Sequence, residues 1–341
     1  MPVIDLHAHV TPDRFKAAIQ SRGEWYGLRS HVGELQFPGF RLGVEDRLAQ
    51  MKALGVDGQA LSPNVGFFQY DRDLKTTQAI ARECNDDIAD MVAQHPDVFV
   101  GIGTLPLQDV PAAIVELDRL MQQLNFKGVI IGDHVNGHTY DEPQFRPFFE
   151  AAESLGALLF FHQSGGTVVK SRIERFFLGN SVGNLTERTL TFGALVLGGV
   201  VDRYPGLKLL LAHAGGYTAF GASRMDKAAG VLEEGADATR GFVPPLDHEG
   251  SSAPMHRAPS SYLSSFYYDC CTFSGATLRF LIDQVGIDKV VLGSDYPAPM
   301  VLGDAAHWVR GLDCLTETEK NAILADNPAR LIGWSPAPGQ A

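Results

Sequence analysis

The chain has 341 residues, of which 45% are hydrophobic and 20% charged, and its formal net charge is −12. The acidic balance argues against a nucleic acid or an anionic membrane as a partner, because both require a basic face. No apolar run reaches the roughly 18 residues that a membrane span needs. Asp5, His7 and His9 interrupt the N-terminal apolar run, so we expect neither a membrane span nor a signal peptide.

No linker or low-complexity stretch divides the sequence, so we expect a single domain over residues 1–341. The four cysteines, Cys84, Cys270, Cys271 and Cys314, show no C-x-x-C spacing. Cys270 and Cys271 are adjacent, which strains a mutual disulfide. This cysteine usage predicts buried thiols and a cytoplasmic location.

Short aliphatic and β-branched runs recur along the chain, with helical patterns between them. Several runs, such as GVIIG at residues 128–132, are apolar without interruption, which is typical of parallel strands covered on both faces. The predicted strands are residues 3–6, 58–62, 98–104, 128–132, 157–162, 207–213, 266–271 and 289–293. The predicted helices are residues 44–53, 76–94, 110–124, 143–155 and 185–201.

Eight such strands, most followed by an amphipathic helix, predict an α/β fold of the (β/α)8 TIM-barrel type. The alternative is a doubly wound open sheet, which normally has a glycine-rich turn after its first strand, where this chain has His7-Ala8-His9. Two loop insertions follow strands one and six, at residues 11–41 and 224–262. In a barrel both would lie at the C-terminal face, where active sites are built.

Ionisable side chains occur where four of the predicted strands end. His7 and His9 end strand one, His162 and His213 end strands five and six, and Asp295 follows strand eight. Alternate residues of a strand point to one face, so His7 and His9 face the barrel interior together. Each residue alone could be a core histidine or a loop cap, but their convergence predicts a site for zinc, manganese or iron.

We assign the predicted metal ligands as His7, His9, His162 and Asp295. His213 remains as a candidate general base, with a fifth ligand as the alternative. Two-metal barrels of this kind place a carboxylated lysine at the end of strand four, but here Lys127 lies at its beginning. We therefore expect one metal ion per subunit. His134 and His138 are expected to be solvated loop residues rather than substrate contacts.

Several motifs together resemble the amidohydrolase superfamily: DLHAH at residues 5–9, LAHAGG at 211–216 and GSDYP at 293–297. Further stretches resemble its decarboxylase branch, typified by 2-amino-3-carboxymuconate-6-semialdehyde decarboxylase. These stretches are LPLQD at 105–109, GGVVDRYPGLKLLLAHAGG at 198–216, RAPSSY at 257–262 and VVLGSDYP at 290–297.

The resemblance implies a barrel with one zinc ion, or manganese as the alternative, on the four assigned ligands. It implies non-oxidative decarboxylation of a small unsaturated or aromatic carboxylic acid, with His213 as the acid/base residue beside a metal-bound water. Asp295 shares the proton transfer. Arg224, eleven residues after His213, matches a family arginine that binds the substrate carboxylate of the neighbouring subunit. A homodimer with shared sites is thus implied.

The chain also departs from the family pattern. Gln163-Ser164-Gly165 replaces the Pro-Trp-Asp that follows the strand-five histidine, and Ala298 replaces an aromatic residue. A second substrate arginine has no clear counterpart, and Arg29 and Arg41 are the candidates. These departures predict a reshaped substrate pocket.

Three alternatives to a decarboxylase follow from the same ligands. The site could hydrolyse an amide, ester or lactone, or hydrate an unsaturated acid. A non-catalytic metal-binding protein is the third, but an open site with a spare base serves no structural purpose. Carbon balance distinguishes the enzymes, because only the decarboxylase releases CO₂.

Overall fold

The computed structural model describes residues 1–163, 172–229 and 257–336. Eight parallel strands form one sheet, in which each strand pairs with the next along the chain. The strands are β1 (Ile4–Val10), β2 (Gly58–Pro63), β3 (Phe99–Gly103), β4 (Gly128–Gly132), β5 (Leu158–His162), β6 (Lys208–Leu211), β7 (Phe266–Asp269) and β8 (Val290–Val291).

The sheet closes on itself where β1 meets β8 and the segment after it. The backbone N–H of Leu6 donates to the carbonyl of Leu292 at 3.0 Å, and the N–H of Asp295 donates to the carbonyl of His7 at 2.9 Å. Every residue of β1 is buried, as are all residues of β4 and β5. The predicted (β/α)8 TIM barrel of continuously apolar, doubly covered strands is confirmed.

Helices alternate with the strands along the chain. None of those in the described residues combines the length and apolarity needed to cross a membrane. They are α1 (Asp13–Arg22), α2 (Val44–Ala53), α3 (Leu74–Gln94), α4 (Val110–Asp118), α5 (Arg146–Leu155), α6 (Asn184–Leu197), α7 (Val200–Arg203), α8 (Thr218–Ala229), α9 (Gly275–Val285), α10 (Ala305–Arg310), α11 (Glu317–Asn321) and α12 (Asn327–Ile332).

Two strand boundaries differ from the prediction where the site is built. β1 continues to Val10, so His7 and His9 lie within the strand rather than after it. β6 ends at Leu211, and His213 lies in a short 3-10 turn with a left-handed φ of 54°. The strand cannot continue through His213, because a strand requires negative φ angles.

One predicted helix forms two separate helices in the structure. The helical pattern over residues 185–201 breaks at Gly198 and Gly199, which separate α6 from α7. Gly199 has a φ of 71°, which glycine adopts without a steric penalty. The break turns the chain toward β6.

The first insertion packs against α3 and the turn after β2 in a small apolar core that is separate from the main core. The indole Nε1 of Trp25 donates to the Glu83 carboxylate on α3 at 2.9 Å. This hydrogen bond links the insertion to the barrel. The residues of this core are Phe15, Trp25, Leu28, Phe67, Ile80 and Cys84. The second predicted insertion begins within α8, and its residues 230–256 lie outside the described residues.

Candidate metal centre

Four buried side chains bring one donor atom each to a single point at the mouth of the barrel. These atoms all lie within 4.8 Å of one another, and we call the set the four-donor cluster: His7, His9, His162 and Asp295. They come from β1, from the last residue of β5 and from the loop after β8. The structure therefore brings together the four residues that the sequence predicts as metal ligands.

The spacing within the four-donor cluster suits one ion. Nε2 of His7 and Nε2 of His9 are 3.1 Å apart, since alternate residues of β1 face the same way. Oδ1 of Asp295 lies 3.1 Å from Nε2 of His9 and 3.3 Å from Nε2 of His7. Three imidazoles with one carboxylate form a donor set that suits a divalent transition metal.

His162 provides the test of whether a metal fits. Both of its ring nitrogens are buried, and neither has a hydrogen-bond partner among the described residues. A buried polar atom without a partner costs free energy, so it points to a group that this structure does not contain. A divalent ion held by the four-donor cluster would satisfy one of these nitrogens.

Burial and charge set the protonation of the cluster. Burial raises the pKa of Asp295, but His7 and the hydrogen-bonded imidazoles outweigh it and hold that pKa well below 3.8. Burial lowers the pKa of His162 well below 6.5, and the neighbouring imidazoles lower it further. Both groups are therefore in their metal-binding forms at neutral pH.

His7 differs from the other ligands. Burial lowers its pKa, but the carboxylates of Asp295 and Asp269 outweigh this effect and raise the pKa to about 10. Without a metal, His7 carries a proton at neutral pH. An arriving ion must displace that proton to reach Nε2.

Asp269 is a member of the site that the sequence analysis missed. Its Oδ2 lies 2.8 Å from Nδ1 of His7 and also accepts the backbone N–H of His213 at 2.8 Å. Its Oδ1 accepts the backbone N–H of Ala214 at 2.8 Å. The signal was available, because Asp269 is the last residue of β7 and the carboxyl ends of barrel strands hold functional side chains.

His213 lies beside the four-donor cluster without completing its ligand set. Its Nε2 is 3.6 Å from Oδ2 of Asp295, and its ring centroid is 4.8 Å from that of His162. The side chain remains 12% exposed, so it can meet a substrate. Its Nδ1 has no hydrogen-bond partner among the described residues. This arrangement suits an acid/base group beside the metal.

Left-handed backbone angles concentrate at this site. His213, Ala214 and Asp295 have φ angles of 54°, 56° and 62°, which cost conformational energy for residues other than glycine. The Asp269 carboxylate holds the first two of these by accepting both of their N–H groups. Such strain persists where the surroundings fix it, and here it aims His213 and Asp295 at one point.

The end of β4 is followed by an acidic residue rather than a lysine. The carboxylate after the strand, Asp133, forms a buried ion pair with Arg188 of α6. Arg188 also donates from Nη1 to the carbonyl of Phe161 at 3.0 Å, directly before His162. Lys127 bonds instead to the Asn125 side chain at 3.1 Å.

Other predicted residues lie away from the cluster. Arg224 is exposed on α8, and the structure does not bring it to the four-donor cluster of its own chain. His138 is exposed and pairs with Glu142 at 2.8 Å, as expected of a solvated loop histidine. Arg41 donates to the backbone of Leu35 rather than reaching the site.

Glu34 is a second residue that the sequence analysis missed. It lies in the first insertion with a φ of 51°, and its carboxylate is hydrogen-bonded to the side chain of Asn64, just beyond β2. Burial raises the pKa of Glu34, and the charge of Asp295 raises it further. The first insertion thus brings a carboxyl group into the electrostatic field of the metal site.

A cavity of about 610 Å³ opens beside His213 and Asp295, and we call it the mouth cavity. Loops after β6, β7 and β8 contribute to it, as expected for the C-terminal face of a barrel. Its wall is largely apolar, and includes Tyr217, Phe220, Phe273, Phe280, Leu281 and Met300.

A parallel barrel with three imidazoles and a carboxylate at its C-terminal mouth defines a class, the metal-dependent enzymes of amidohydrolase type. The sequence model of the amidohydrolase family, Amidohydro_2, matches residues 4–334, and the chain belongs to this family.

Curated relatives and solved structures narrow the class. The chain is 30% identical to 2-amino-3-carboxymuconate-6-semialdehyde decarboxylase from Dictyostelium discoideum, over 98% of this chain and 92% of that protein. It is 28% identical to gamma-resorcylate decarboxylase from Rhizobium radiobacter, over 85% and 88%. The structure of 5-carboxyvanillate decarboxylase LigW from Sphingomonas paucimobilis superposes with a TM-score of 0.81 at 26% identity, over 98% and 99%.

These comparisons confirm the resemblance to the decarboxylase branch of the amidohydrolase superfamily. The predicted class of reaction, a metal-dependent carboxy-lyase, is confirmed with it. The four-donor cluster provides the divalent-metal site that this class requires.

Proposed function

We propose that this enzyme removes CO₂ from a small aromatic or unsaturated carboxylic acid bound in the mouth cavity. His7, His9, His162 and Asp295 hold one divalent ion, and His213 is the acid/base residue with Asp295 beside it. The observation that carries the proposal is the position of His213, whose Nε2 lies 3.6 Å from Asp295 at the wall of the cavity. The relatives named as decarboxylases of aromatic acids support this class of substrate.

When bound, the ion stabilises the negative charge that remains on the substrate as the bond to the carboxylate breaks. The electrons of that bond pass to the ring carbon, which then takes a proton, so that the acid is converted to CO₂ and the corresponding arene. His213 is the donor of this proton, because its side chain lines the cavity and its Nε2 lies 3.6 Å from Oδ2 of Asp295. Asp269 keeps His213 in place through the backbone N–H.

Zinc and manganese are both compatible with three imidazoles and one carboxylate. We propose zinc as the resident ion, with manganese as the alternative. The four cysteines of the chain are free, in keeping with the proposed cytoplasmic location, but the prediction of buried thiols is wrong for Cys314, which is exposed. We also propose that residues 1–341 act as one domain.

We further propose a homodimer in which Arg224 binds the substrate carboxylate of the partner subunit. Arg224 and Phe220 are four residues apart on α8, so they share one helix face, and both are exposed. Phe220 lines the mouth cavity of its own chain, but Arg224 does not. An arginine placed this way lies outside the cavity of its own chain and can reach the site of a second copy.

The test is a carbon balance on purified enzyme loaded in parallel with zinc and with manganese. Aromatic and muconate-type acids are incubated with it, while CO₂ and ultraviolet absorbance are followed. We expect one mole of CO₂ for each mole of acid consumed. His213→Asn should keep its metal and lose about 10²–10⁴ in turnover. Consumption of substrate without CO₂, by ring opening or by addition of water, would contradict the proposal.

A further inference from the structure

The mouth cavity is larger and more apolar than the metal chemistry requires. Ligand pockets of about 300–1,000 Å³ typically bury most of a drug-sized molecule, and the mouth cavity holds about 610 Å³. A benzoate with small polar substituents would fill only the part beside His213 and Asp295. The remaining volume lies against the loop after β7 and the start of α9.

The wall of this remaining volume is aromatic and open to solvent. Phe220 is 82% exposed, Phe273 is 51% exposed and Phe280 is 41% exposed. Single exposed apolar residues are ordinary, but three rings around one cavity form a patch of the kind that binds a ligand or partner. Phe273 also has a left-handed φ of 57°. This strained angle fixes the direction in which its side chain leaves the backbone.

The charges on the wall point to the same kind of ligand. Among the described residues that line the cavity, the charged group is Asp295, with the imidazole of His213 beside it. The hydroxyl and amide side chains of the wall are neutral: Asn180, Ser181, Tyr217, Thr272 and Thr277. Against these described residues of the same chain, a second carboxylate would lose its hydration without a cationic partner, which is costly. An apolar substituent has no such hydration to lose, and its contact with the rings would remove their apolar surface from water.

We propose that the substrate is a monocarboxylic aromatic acid with a bulky apolar substituent, such as an alkyl chain, lodged between Phe220, Phe273 and Phe280. This inference rests on the proposed function, because it takes the reacting carboxylate to lie at the metal centre. The three phenylalanines then determine specificity, while the four-donor cluster and His213 carry the reaction.

The experiment compares 2,6-dihydroxybenzoate with the same acid carrying a butyl group para to the carboxylate. Burial of a methylene is worth about 0.8 kcal/mol, which is a factor of about four in binding. We expect kcat/KM to be at least about tenfold higher for the butyl acid. Equal values for the two acids would overturn the proposal.

Ala276→Phe is the diagnostic variant, since Ala276 is exposed at the start of α9 and lines the cavity. The added ring should remove the preference for the butyl acid. Ala17→Phe, at an exposed position of α1, is the matched control and should keep that preference. Phe280→Ala should also weaken the preference, by removing one wall. A preference for the butyl acid that persists in Ala276→Phe would contradict the proposal.

A binding measurement separates this inference from the proposed function. Resorcinol and its butyl derivative cannot lose CO₂, so calorimetry measures their Kd whether or not the enzyme is a decarboxylase. A butyl derivative that binds at least about tenfold more tightly, with the difference abolished in Ala276→Phe, supports the apolar subsite even if neither acid releases CO₂. Equal Kd values would overturn it even if both acids are decarboxylated.

Discussion

Nδ1 of His7 lies 2.8 Å from Oδ2 of Asp269, across 262 residues of sequence, and both side chains are fully buried. The contact joins β1 to β7 directly beneath the metal site. It leaves Nε2 of His7 turned toward His9 and Asp295. The same carboxylate accepts the N–H of His213, so one side chain orients both a proposed metal ligand and the proposed acid/base residue.

The first prediction concerns this carboxylate. Asp269→Asn keeps the size of the side chain but removes the charge that fixes the tautomer of His7. We expect the metal affinity to fall about 10–100-fold, as is typical of partners that orient a ligand. Titration against a competing chelator measures this Kd. Asp202→Asn is the control, because that carboxylate accepts a hydrogen bond from the Tyr262 hydroxyl and is not part of the four-donor cluster. Unchanged affinity in Asp269→Asn would refute the assigned role.

The second prediction concerns pH. Since the pKa of His7 is raised to about 10 without a metal, binding of an ion should release about one proton at neutral pH. Metal affinity should then rise about tenfold per pH unit from pH 7 and level off near pH 10. The folding stability of the metal-free protein depends on pH in the opposite direction. Protonation of His7 stabilises the metal-free fold fully below about pH 6.5, the ordinary pKa of histidine, and this stabilisation is lost as the pH rises to about 10.

Calorimetry in buffers of different ionisation enthalpy counts the released protons. His95, a half-buried histidine that follows α3 and precedes β3, offers a control in the variant His95→Gln, which should leave the proton count unchanged. A metal affinity that does not change between pH 7 and 9 would count against a protonated His7.

The third prediction concerns His162. Replacing it with Phe removes two buried nitrogens that have no hydrogen-bond partner among the described residues. The metal-free His162→Phe protein should therefore unfold at or above the temperature of the metal-free parent. Metal at 100 times its Kd should stabilise the parent by about 2.7 kcal/mol and the variant not at all. Thermal unfolding with metal and with chelator gives both values, and metal stabilisation of the variant would contradict the ligand assignment.

The fourth prediction tests the shared site. Arg224→Ala and His213→Asn should each be nearly inactive alone. When the two are mixed under conditions that exchange subunits, random pairing into two-fold dimers restores one intact site in half of the dimers, so about a quarter of parental activity should return. If Arg224 serves its own subunit, the mixture stays inactive.

The fifth prediction concerns stability behind the site. Arg188→Met leaves the buried carboxylate of Asp133 without its partner, which should cost about 3–5 kcal/mol. Arg279→Met breaks surface pairs with Asp283 and Glu319, which should cost about 0–1 kcal/mol. Urea unfolding compares the free energies of unfolding of the two variants. Equal losses would show that the buried pair contributes no more than the surface pairs.

Local patterns were sufficient to predict much of the fold. β4 occupies residues 128–132 and α2 occupies residues 44–53, both as predicted, because a continuous apolar run and an amphipathic period are properties of neighbouring residues. The four-donor cluster could be predicted for a related reason. The carboxyl ends of parallel strands meet at one mouth, so residues placed there come together whatever their separation in sequence.

The rest depended on contacts that no local pattern encodes. The turn at His213 is left-handed because Asp269, 56 residues later, accepts its N–H. Glu34 reaches the field of Asp295 because the insertion packs closely against the turn after β2, where a side chain at Gly66 would collide with the carbonyl of Val32. Such contacts are set by the folded chain, so sequence periodicity could not reveal them.

A metal ion bound at this site would also hold the closed barrel together. The seam lies between the first and last strands, and β8 is only two residues long. His7 and His9 lie on one side of that seam and Asp295 on the other. An ion bound by all three therefore cross-links the two ends of the barrel. On removal of the metal, amide hydrogen exchange should accelerate first at Leu6 and Asp295, whose N–H groups bridge the seam, before it changes in β4 or β5.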